Sequence, residues 1–131
     1  MYPNPFIHTT TTGGWALACS AAIAGIEVML RDDLPGQAEE KWKYMMERLQ
    51  EFVKRFPEIY ESITGKWLLI WQHFTSKEIG YQVASELFHR GVLVWGTLNS
   101  AKTIRIEPPI VISYEEIDQG LDILETTLVH I

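Results

Sequence analysis

The chain has a single cysteine, Cys19, among its 131 residues. That excludes an internal disulfide and suits a reducing, cytoplasmic compartment. Cys19 stands among alanines and is expected to be a small, buried helix residue. Long hydrophobic runs are also missing. The best candidate, Trp15 to Leu30, is interrupted by Ser20, Gly25 and Glu27, and so falls short of the roughly twenty apolar residues of a membrane span. Basic residues form no run: 11 Lys and Arg stand among 17 Asp and Glu, for a net charge of -6. Neither nucleic acid nor an anionic membrane is therefore an expected partner. The opening MYPNPF carries no basic residue and does not read as a signal peptide. His8, His73, His89 and His130 are too dispersed to suggest a metal set, and no Ser-His-Asp, Cys-His, paired-carboxylate or phosphate-loop pattern stands out. No catalytic residue and no metal ligand is assigned.

What the chain does have is helical and strand periodicity in a length that suits one domain, residues 1–131, able to bury about two-thirds of its unfolded surface. Residues 1–14, with Pro3, Pro5 and four threonines before Gly13 and Gly14, read as an extended lead-in. A helix is expected from about Trp15 to Leu30, rich in alanine and open to close packing, and ended by Arg31 to Gly36. A second, from about Gln37 to Phe56, sets Trp42, Met45, Met46, Leu49, Phe52, Val53 and Phe56 on one stripe, with Pro57 stopping it.

Gly65 to Phe74 alternates like one central strand, with Trp67, Trp71 and His73 on one face. Thr75 and Glu78 have the spacing of a capping box before a helix whose apolar face is Ile79, Val83, Leu87 and Phe88. Val92 to Trp95 and Thr103 to Ile106 read as two strands, broken at Gly96 and at Asn99 and Ser100. A second capping box, Ser113 with Glu116, opens a last helix with Ile117, Leu121, Leu124 and Leu128 inward. The order implies an α+β fold, a small and largely antiparallel sheet covered by helices.

Two features could carry chemistry. In Thr103 to Ile106 the isoleucines point one way and Arg105 the other, so Arg105 is offered from a rigid strand. It suits either bidentate capture of a carboxylate or a surface ion pair with Glu107. The segment HTTTTGG places hydroxyls and glycine amides before a helix N-terminus, which is either a phosphate cradle or a cap.

The run VLVWGTLNSAKTIRIEPP from Val92 to Pro109, with HTTTTGG and GKWLLIWQHF, resembles the C-terminal part of class III pyridoxal-phosphate aminotransferases, the putrescine and ornithine branch above all. The resemblance covers nearly the whole chain and implies the C-terminal small domain of a fold-type I transferase. It implies cofactor-phosphate contact for Thr10 and Thr11, made to the partner subunit's cofactor, and substrate-carboxylate contact for Arg105. The Schiff-base lysine and the acid at the pyridinium nitrogen match nothing here, so the chain by itself is expected to bind no cofactor and to catalyse no transamination.

The family usually carries Gly or Ala where this chain has Trp67, Trp71 and Trp95, and Asn-Pro where it has Trp15 and Ala16. Each indole adds up to about 250 Å² to be covered. The tryptophans either fill space left by an absent large domain or form a self-association or ligand surface. Three readings result: a separated C-terminal domain, an engineered scaffold that forms homodimers through Trp67, Trp71 and Trp95, or one subunit of a split enzyme. The engineered, non-catalytic homo-oligomer is the expectation.

Overall fold

The computed structural model describes residues 10–98 and 100–131. Residues 1–9, which include most of the expected lead-in with His8, and Asn99 of the strand break lie outside them. Where the sequence reads as one domain, the backbone falls into two compact units that divide between Leu34 and Pro35.

In the first unit a turn leads into α1 (Ala16–Arg31), and none of the helix's 16 residues is buried. Cys19 is accordingly exposed, against expectation. The alanine-rich surface suits close packing, but none of the described residues of the unit covers it. Arg31 ends the helix, paired with Asp32 at 2.7 Å, and Asp33 follows at φ 45°.

The second helix, α2 (Leu34–Arg55), starts earlier than expected. Pro35 and Gly36 open it rather than end its predecessor, because proline's fixed φ and missing N–H are harmless in a first helical turn. Its stripe is as expected: Met45, Leu49 and Phe52 are buried, with Trp42, Met46, Val53 and Phe56 packed at the margin.

The stretch from Gly65 to Phe74 is not one strand. It is the end of β1 (Tyr60–Lys66), a turn at Trp67 and Leu68, and β2 (Leu69–Phe74), paired antiparallel with Lys66 opposite Leu69. The alternation concealed the hairpin because its turn lacks the usual Asn-Gly or Asp-Gly signal. Instead Trp67 takes φ 53° itself.

Next comes α3 (Lys77–His89), capped by Ser76, whose hydroxyl accepts from the Ile79 amide at 3.2 Å. Thr75, the expected cap, instead donates its hydroxyl to the Glu58 carbonyl at 2.7 Å. Val83 and Leu87 are buried, whereas Phe88 is 63% exposed. Gly80 lets α3 approach closely, since a Cβ there would meet the Ala101 carbonyl at 3.2 Å and the Phe74 ring at 3.3 Å.

Of the expected strand Val92 to Trp95 only Trp95 forms ladder pairs, together with Gly96, the expected break, as β3. It pairs with β4 (Thr103–Ile106), giving the antiparallel order β1-β2-β4-β3. Last is α4 (Tyr114–Val129), with the Ser113–Glu116 capping box formed and Ile117, Leu121, Leu124 and Leu128 buried. The fold is α+β, with a small antiparallel sheet and, among the described residues, four helices, as the sequence implies.

One face of the sheet meets the helices. Ile63, Ile70, Phe74 and Ile104 join Leu49, Phe52, Val83, Leu87 and the α4 leucines in a single core. Burying each such side chain stabilises the fold by about 1.5–3 kcal/mol. Outside the core Arg48 ties α2 to α4, reaching Asp122 at 2.7 Å and Glu125 at 3.2 Å, and Tyr44 donates to Asp118 at 2.8 Å. The opposite face carries Leu69, Trp71, His73, Arg105 and Trp95, all at least partly exposed.

Candidate functional site

Arg105 sits in the middle of that open face. The register makes Trp71 on β2 its direct partner on one side and Trp95 on β3 its direct partner on the other. Directly opposed residues share a face with Cβ atoms about 4.5–5.5 Å apart, so the two indoles bracket the arginine stem. Their expected closeness is thus corrected: Trp71 and Trp95 are separated by β4, with Arg105 between them. Trp67 is not a strand residue: it occupies the hairpin turn, where the Lys66 ammonium lies 4.9 Å from its ring. Trp67 is 47% and Trp95 70% exposed, so neither fills the core of this chain.

The guanidinium is only half engaged. Its Nη1 pairs with Glu107 at 3.0 Å, the surface pair the sequence allows. Its Nε is buried and has no hydrogen-bond partner. One guanidinium donor is thus left unsatisfied within the fold.

Beside this pair lies a polar array that sequence reading missed. The two ring nitrogens of His73 meet the Thr64 and Thr103 hydroxyls at 3.0 Å and 3.1 Å, and Thr103 passes a hydrogen bond to the Ser100 hydroxyl at 3.3 Å. Thr103 is His73's direct cross-strand partner. The signal lay in the register, which stayed hidden while Gly65 to Phe74 was read as one strand. The array holds β1, β2 and β4 together on the open face, two residues along from Arg105.

Thr10 and Thr11 lie in the first unit and are exposed. The turn after them closes through the Gly13 amide to the Thr10 carbonyl at 3.5 Å and the Trp15 amide to the Thr12 carbonyl at 3.4 Å. A Cβ at Gly13 would meet the Thr10 methyl at 2.5 Å, so that exposed side chain would have to turn aside. Trp15 caps α1 with no side-chain hydrogen bond, and the first turn holds no acid. Two hydroxyls before an uncapped helix N-terminus suit the phosphate end of a cofactor. Among the lysines, Lys41 donates to the Ile110 carbonyl at 3.1 Å, Lys43 pairs with Glu39 at 2.8 Å and Lys102 with Glu61 at 2.8 Å. Among the described residues no three side chains group as metal ligands, and no helix is long and apolar enough to cross a membrane.

The profile of the aminotransferase class-III family matches residues 2–128. The chain belongs to the class-III aminotransferases. Members of this family depend on pyridoxal phosphate. Similar solved structures include an acetylornithine aminotransferase from Elizabethkingia anophelis, at 24% identity over 98% of this chain and 32% of that one, with a TM-score of 0.85. A lysine aminotransferase from M. tuberculosis matches at 26% identity over 79% of this chain and 23% of its own, with a TM-score of 0.74. A Bacillus anthracis aminotransferase matches at 24% identity over 96% and 31%, with a TM-score of 0.80. The class-III chain described here thus spans between 23% and 32% of the length of these aminotransferases.

Proposed function

We propose that the chain is the carboxylate-recognising part of a pyridoxal-phosphate-dependent aminotransferase, with Arg105 as the anchor for the amino or oxo acid. The observation that carries this reading is the buried, unpartnered Nε of Arg105. An unsatisfied buried donor costs about 1–3 kcal/mol, and a carboxylate on that edge would give it a short, charge-assisted partner. The strand fixes the stem while Glu107 holds the other edge at 3.0 Å, so little side-chain freedom is left to lose on binding. Such placement of the acid is what orients an amino or oxo group toward a reacting centre.

Thr10 and Thr11 supply the cofactor-phosphate contacts in this reading, supported by the two exposed hydroxyls and the uncapped start of α1. When bound, pyridoxal phosphate acts as the electron sink for exchange of the amino group. The lysine and the acid that serve it match no motif here, so this chain without the rest of an aminotransferase is non-catalytic. The putrescine or ornithine type is part of the proposal as regards the amine donor, resting on the motif around Arg105, and does not specify the acid that Arg105 holds.

A second reading is favoured by the tryptophans. Trp67 at φ 53° occupies a conformation better suited to glycine, and Trp95 is 70% exposed. Both are consistent with engineered replacements that form a homodimer surface.

Pyruvate, the simplest 2-oxo acid, tests the first reading. Added to the isotope-labelled chain, it is expected to shift the Arg105 Nε–H resonance. Arg105→Lys, which keeps the charge but loses the fork, is expected to weaken binding roughly tenfold. Binding that survives Arg105→Ala unchanged, or no shift at tens of millimolar pyruvate, overturns the proposal.

A further inference from the structure

Resting on the Arg105 reading, we propose that Trp71 and Trp95 make this site selective for acids with a flat aromatic body, an arylalkyl carboxylate rather than a short aliphatic one. Both indoles are direct register partners of Arg105, one on each side. Any acid held on the guanidinium therefore extends its body over or between them.

The rings are available for this. Trp95 is 70% exposed and Trp71 only partly buried, so neither is consumed by the core, which lies on the other face. The polar groups of that face are occupied elsewhere: His73, Thr64 and Thr103 bond one another at 3.0 Å and 3.1 Å. Glu107 takes Nη1, and the Nε is buried without a partner, so a carboxylate that displaces what covers it is left the Nε edge. A short acid held there gains the charged contact and leaves the indoles in water. An aryl group on a short tether gains the same contact and also lies against an indole, removing apolar area of both from water in an offset or edge-to-face pair. The site therefore pairs one cation with two large aromatic surfaces, and its occupant should carry one anion and one aromatic ring.

The test compares 3-phenylpropionate with propionate on the labelled full chain, reading the Arg105 Nε–H and the two indole N–H resonances. The expected result is about tenfold tighter binding of 3-phenylpropionate, with Trp71 and Trp95 shifting for it and not for propionate. In the Trp71→Ala, Trp95→Ala double variant the ratio of the two affinities should fall to about one. Should that variant not fold, as judged by circular dichroism, Trp95→Ala alone should reduce the ratio at least about twofold, since its ring is mostly exposed. Equal affinities in the unaltered chain overturn the selectivity and leave Arg105 as the carboxylate anchor. A preference that persists without the indoles overturns it as well. If 2-phenylethanol, which lacks the carboxylate, binds as tightly as 3-phenylpropionate, or if Arg105→Ala leaves propionate binding unchanged, the Arg105 reading itself fails. A concentration-dependent dimer that 3-phenylpropionate does not dissociate, with the Trp71 and Trp95 signals broadened by it, puts a second copy on this face and overturns the inference.

Discussion

The two faces of the sheet are built from the same four strands and differ in almost everything else. The inward face presents Ile63, Ile70, Phe74 and Ile104, each at most 5% exposed. The outward face presents Trp71, His73, Arg105 and Trp95, partly or largely exposed. The inward residues face three helices of the same unit, and their apolar burial holds the fold together. No helix of the same unit covers the outward residues, which hold their geometry through the ladder, through hydroxyls on His73 and through Glu107 on Arg105. Stability and, in the proposed reading, recognition are thus divided between opposite sides of single strands, which a two-residue period makes possible.

Substitutions on the inward face should be costly and those on the outward face cheap. The largest effect is expected for Phe74→Ala, fully buried at 0%, which should lose about 3–5 kcal/mol in urea unfolding. A loss under about 1 kcal/mol would break the contrast between the faces. The next effect tests a polar couple inside the core. Tyr60 donates to Gln72 Oε1 at 2.6 Å, while the Gln72 Nε2 has no partner. Burial pushes the Tyr60 phenol well above its ordinary value of 10.0. Gln72→Leu should cost about 1–3 kcal/mol by stranding that hydroxyl, and adding Tyr60→Phe should restore most of it. A double variant no more stable than the single one would show that the pair does not act as a unit.

Ser113→Ala should cost about 0.5–2 kcal/mol through loss of the α4 cap. The same cap gives a pH dependence with a definite sign. The Ser113 amide donates to the Glu116 carboxylate at 2.9 Å and, with the Ser113 hydroxyl, holds its pKa below the ordinary 4.5. The Arg55 guanidinium does the same for Glu125, with Arg48 adding to it. Both pKa values are lowered in the folded state, so their stabilisation is present above the ordinary value and is lost as pH falls through the lowered ones. Denaturation midpoints should therefore decline below about pH 4.5, and less steeply in Ser113→Ala. An identical acid limb in both proteins would remove the cap from the account.

The smallest effects belong to the exposed tryptophans. Trp67→Gly should raise stability by up to about 1 kcal/mol, relieving a left-handed residue worth about 1–2 kcal/mol and giving up a cation–π contact of about 0.5–1 kcal/mol. Trp95→Ala, at a ring 70% exposed, should stay within about 0.5 kcal/mol. A large loss there, accompanied by a change of mass in solution, would mean that a partner covers the outward face and would favour the homodimer reading.

Periodicity by itself determined the helical stripes of α2 and α4, the Ser113 cap, the β4 alternation and hence the outward Arg105. These depend on a residue and its neighbours three or four positions away, or two in a strand, and that information is local. The family too was legible, because its motifs lie in order along the chain. What only the tertiary structure decided was pairing. Trp67 turns the chain back without a turn signal, Ser76 and not Thr75 caps α3, and Trp71 and Trp95 meet Arg105 from opposite sides only once β2 and β3 have both docked on β4. Register is set by contacts between residues far apart in sequence, so the composition of the site, a lone arginine between two indoles, could not be read from any one segment.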